Sequence, residues 1–183
     1  MTSVPVNFAA AFALCILGAA LFLALASALR RRQRDWTDLI AGLQPMDSEG
    51  VGLVAQDFLQ PRRGQIAMEP QEMWQLVGGA DGLNKMLQNA EIMLALAAWA
   101  ERWNFAEGVI VSERMRREAI ALRHAVRRVK LAMIPLGILK RFRFALPFHV
   151  QEAASAYYLM RQRLLLLYET SHAGLYPALA ASL

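Results

Sequence analysis

The chain has 183 residues, of which 56% are hydrophobic, and a formal net charge of +5 with a pI of ≈ 9.9. Its one cysteine, Cys15, excludes a disulfide framework and a thiolate metal site. Ala and Leu dominate and β-branched residues are few, which favours helix over strand.

Val6 to Leu29 runs 24 residues without a charge and is followed by Arg30, Arg31, Arg32 and Arg34. A helix of that length is ~36 Å long and spans a ~30 Å hydrocarbon layer with some tilt. Cations just outside a span favour the cytoplasmic side, and residues 1–7 carry no charged side chain, so the expected topology is N-terminus outside and the rest in the cytoplasm. A cleaved signal peptide is the competing reading, with Ala24, Ala26 and Ala28 as the small-residue region. It lacks a basic start and its apolar stretch is too long. Ala20, Ala24 and Ala28, with Gly18 beside them, form a small-residue face on which another membrane helix can pack closely.

Trp36 follows at the depth where indole rings favour the headgroup layer. Residues 35–43 predict a short helix along the membrane, ended by Gly42 and Pro45. Residues 46–70, with Gly50, Gly52, Pro61 and Gly64, read as a connector with at most a short helix at 54–59. Pro70 suits the first turn of a helix running to Val77, stopped by Gly78 and Gly79.

Residues 83–103 carry two apolar stripes: Leu83, Leu87, Ala90, Leu94 and Ala97, then Ile92, Leu96, Trp99 and Trp103. A helix apolar on two sides is expected at the centre of the domain, with Asp81 at its start and Asn104 at its end. Residues 111–134 carry a heptad-type seam of Met115, Ala119, Leu122, Val126, Val129 and Met133. Behind that seam lies a cationic face of Arg116, Arg123, Arg127 and Lys130, flanked by Arg117, His124 and Arg128. Pro135 and Gly137 interrupt this helix.

Residues 131–139 are almost wholly apolar. Lys140, Arg141 and Arg143 then alternate with Phe142 and Phe144, ahead of Phe148, a pattern suited to the headgroup layer of a membrane. A plain loop packed on the domain, or a partner contact, fits the same residues. The last helix, 149–170, repeats its seam at Val150, Ala153, Tyr157, Met160, Leu164 and Leu167, and residues 174–183 read as a small apolar tail.

The charges are segregated. From Asp35 to Glu113 there are 12 acidic and four basic residues, whereas from Arg114 to Arg143 ten basic residues meet only Glu118. Either the two sections neutralise each other within one bundle, or the basic one faces anionic lipid headgroups or an acidic partner. Glu169 and His172 have Glu-x-x-His spacing, but a carboxylate-bridged di-metal site needs a second such pair. No metal site, catalytic residue or cofactor is expected. No phosphate-cradling glycine loop or nucleophile elbow occurs, and no nucleic-acid module accompanies the basic residues.

The expected fold is therefore all-α: a single N-terminal transmembrane helix (1–34), an interfacial connector (35–78), and an antiparallel bundle of about three long helices plus short ones (79–183). The expected role is a non-catalytic accessory subunit of a larger membrane complex, of the photosynthetic or respiratory kind. Its span would pack on neighbouring membrane helices while its domain clips subunits together on the cytoplasmic surface. A membrane-tethered adaptor that recruits an acidic partner or nucleic acid through its basic helix is the alternative.

Overall fold

The computed structural model describes residue 18 and residues 35–60, 68–103, 105–133 and 146–183. It divides into two units, Met1–Asp35 and Trp36–Leu183. In the first unit Gly18 is helical and exposed, with open space where a Cβ would stand. The other residues of the expected span, Ala20, Ala24 and Ala28 among them, lie outside the described residues, as do Arg30, Arg31, Arg32 and Arg34. Among the described residues no helix is long and apolar enough to cross a membrane.

The second unit is a helical bundle with no strand among the described residues. In chain order its helices are α1 (Trp36–Ala41), α2 (Ser48–Leu59), α3 (Pro70–Leu76), α4 (Gly79–Ala100), α5 (Phe105–Met133), α6 (Leu146–Ser171) and α7 (Tyr176–Ser182). Glu118 of α5 pairs with Arg163 of α6 and Arg128 with Glu152, so α5 and α6 run antiparallel. Asn89 and Leu96 of α4 meet Tyr157 and Tyr168 of α6 in rising order, so α4 and α6 run parallel. The three long helices form an up-down-up bundle.

Two expectations about the centre and the connector are corrected. The central helix is α6 rather than 83–103, since α6 packs on α2, α3, α4, α5 and α7. Its small residues permit this: Ala153, Ala154, Ser155 and Ala156 are all buried, giving a backbone that neighbours approach on every side. Residues 35–78 are also more than a connector. α1 packs on α4, and Val51 and Val54 of the 12-residue α2 belong to the common core.

The glycines that argued against a helix at 48–59 have local uses. Asp47 caps α2 by accepting a hydrogen bond from the Gly50 amide at 2.9 Å, and a Cβ at Gly50 would stand 2.4 Å from that carboxylate. Gly52 lies against the ring of Tyr158. α2 then runs antiparallel to α6, with Gln151 donating to Asp57 at 2.8 Å and Phe58 edge-on to Phe148.

The stop after α3 is as expected, with Gly78 and Gly79 both left-handed at φ 78° and 62°. α4 begins at once, because Gly82 leaves room for the Val77 carbonyl: a Cβ there would lie 1.8 Å from that oxygen. On α4 the buried line is Leu83, Met86, Ala90, Met93, Leu96, Ala97 and Ala100. Leu83, Ala90 and Ala97 of the first expected stripe and Leu96 of the second lie on that line, whereas Leu87, Ile92, Leu94 and Trp99 are half-buried beside it and Trp103 is 67% exposed. The seam of α5 holds from Met115 to Val129, but at its end Ala132 is buried and Met133 is exposed. Every seam residue expected on α6 is buried. The tail folds into α7 and docks on α6 through Leu179.

Candidate functional site

The basic helix supplies the most distinctive surface. Arg116, Arg123, Arg127 and Lys130 are all exposed on α5. Much of their charge is matched. Glu113 takes Arg116 at 3.3 Å and Arg117 at 3.6 Å within the helix, Arg123 reaches Glu91 of α4 at 3.6 Å, and Arg128 reaches Glu152 of α6 at 3.6 Å. His149 Nδ1 lies 3.2 Å from the same Glu152 carboxylate. The acidic and basic sections of the sequence thus neutralise each other in part across helix neighbours, in exposed pairs worth ~0.2–1 kcal/mol each. Among the described residues Arg127 and Lys130 form no ion pair.

Between these cations the solvent side of α5 carries aliphatic residues. Ile110, Ile120 and Leu131 are 57%, 55% and 51% exposed. Together with Arg117, His124 and Arg127 they fall at steps of seven, three, four, three and four, a second seam that points away from the bundle. The inward seam and the cationic back were legible in the sequence, whereas the outward aliphatic line was hidden among arginines.

A groove of about 350 Å³ lies beside that line, between α5 and α6. Its walls are Ile110 and Val111 from α5 and Leu166 and Leu167 from α6, with Arg114 and Arg163 also lining it. At its inner end Arg163 hydrogen-bonds to Glu118. Burial pushes the Glu118 carboxyl above the usual glutamate range, against the pull of Arg163 and Arg114.

The remaining expected site residues are dispersed. Trp36 is half-buried and packs against the core, so its indole serves the bundle. Phe148 is exposed and packs edge-on to Phe58 at 5.5 Å, while Lys140, Arg141, Phe142, Arg143 and Phe144 lie outside the described residues. Glu169 is exposed and His172 turns into an aromatic cluster, 5.7 Å from Trp99, 5.8 Å from Trp103 and 6.0 Å from Tyr168 between ring centres. Their helical spacing therefore does not bring them to one point, and among the described residues no group of three or more metal-ligating side chains assembles.

Comparison of the chain with protein-family models, with curated proteins and with solved structures finds no match.

Proposed function

We propose that the chain is a non-catalytic, membrane-anchored accessory subunit that holds neighbouring subunits of a complex through the outward seam of α5. In this reading residues 6–29 anchor it in a bacterial-type cytoplasmic membrane, packing on other membrane helices, and the bundle lies on the arginine-rich cytoplasmic side. The observation that supports docking most directly is the row of half-exposed Ile110, Ile120 and Leu131 set among cations. Large aliphatics left in water on the solvent side of a helix gain when a partner helix covers them, and the surrounding arginines favour an acidic one.

A tagged full-length chain extracted in mild detergent tests this. Stoichiometric partners should remain bound at 1 M salt, where the Debye length is ~3 Å, and Ile120→Glu should release them while leaving the helical content unchanged. Loss of all partners at high salt would favour the adaptor reading, in which Arg127 and Lys130, which form no ion pair among the described residues, recruit an acidic soluble protein electrostatically. Partners that survive both salt and Ile120→Glu would exclude this face.

A further inference from the structure

We propose that the groove between α5 and α6 binds the anion of a medium-chain fatty acid, its carboxylate at Arg114 and its hydrocarbon along Ile110, Val111, Leu166 and Leu167. Four aliphatic side chains from two helices line a volume of about 350 Å³, at the lower end of the ~300–1,000 Å³ of small-molecule sites. Its polar groups are set at the two ends. The antiparallel register fixed by Glu118 and Arg163 puts the two arginines at one end and Glu107 with Thr170 at the other.

The two arginines are not equivalent. Arg163 is already engaged by Glu118, whereas Arg114 forms no ion pair among the described residues and acts on Glu118 only at longer range. A carboxylate matches the planar fork of the Arg114 guanidinium in a bidentate fashion. From Arg114 to Glu107 the helix advances ~10 Å, which suits one medium-length chain rather than a two-tailed lipid. A partner helix would need ~800 Å² of contact, far more than this slot offers. The groove shares Ile110 with the outward seam, whereas Val111, Arg114, Leu166 and Leu167 belong to the groove alone.

The probe is decanoic acid bearing a diazirine at its methyl end, photolysed with the full-length chain in nanodiscs of neutral phosphatidylcholine. Cross-links should fall on the peptides that carry Ile110, Val111, Leu166 and Leu167, decanoate should compete, and decanol should compete far more weakly. Arg114→Gln should lower labelling about tenfold, the loss of one hydrogen-bonded charge pair. Leu166→Gln, at an exposed position, should also weaken it, and Lys85→Gln on α4 should not. Labelling unchanged in Arg114→Gln, decanol competing as well as decanoate, or cross-links confined to residues 6–29 would each overturn the proposal.

Discussion

Asn89 is the polar residue on which the packing of α1, α4 and α6 converges. It is 2% exposed, and its side chain accepts from the Gln44 amide at 2.8 Å, donates to the Gln44 carbonyl at 2.9 Å, and donates to the Tyr157 hydroxyl at 3.2 Å. A primary amide satisfies both backbone polar groups of one residue and thereby holds the chain leaving α1 against the middle of α4. Asn89→Ala removes these bonds and leaves the Gln44 groups part-buried without their partner. It should cost ~2–3 kcal/mol in a urea melt. Sequence reading passed over Asn89 because its importance depends on Gln44, 45 positions away.

At the scale of elements, close approach explains where helices begin and what was legible. The turn between α3 and α4 closes onto Gly82, where the atom facing a new Cβ is a backbone carbonyl that cannot swing aside. Gly82→Ala should therefore destabilise the fold by ~3 kcal/mol or more, whereas Gly52→Ala meets only the Tyr158 ring at 3.6 Å and should stabilise α2 by up to ~1 kcal/mol. Thermal melts of the two variants should move in opposite directions. The long helices were legible because a 3-4 repeat of large apolar residues marks one face, as on α6 from Val150 to Leu167. α2 was not, because two glycines resemble breakers unless one knows that Gly50 makes room for the Asp47 cap and that Gly52 packs under the Tyr158 ring. The true line on α4 was obscured for a related reason: Met86 and Met93 are fully buried, but they sit among so many apolar neighbours that periodicity alone does not single them out. The cationic site residues were legible as a face, and their pairing with Glu91 and Glu152 was not, since those carboxylates come from other helices.

For the molecule as a whole, the deepest phenols make stability depend on alkaline pH. Burial raises the pKa of both Tyr157 and Tyr168 above the ordinary 10, for Tyr157 despite the hydrogen bond that it accepts from Asn89. An acid whose folded pKa is raised holds its proton while the unfolded chain has released it. Stability is thus fully present below pH 10 and is lost as pH climbs from there through the folded values. Of the four tyrosines in the sequence, these two should gain phenolate absorbance only as the bundle opens. A spectrophotometric titration tracked against circular dichroism checks this, and early ionisation of both phenols in an intact fold would contradict it.

The position of α6 has a consequence for how this protein comes into being. The helix that every long neighbour leans on is the last long one to leave the ribosome, and its parallel companion α4 is complete well before it. Synthesis at ~5–20 residues per second leaves the greasy sides of α2, α4 and α5 without their common support for seconds. The bundle therefore closes only once Leu146–Ser171 has emerged, and the apolar sides of the earlier helices stay uncovered until then.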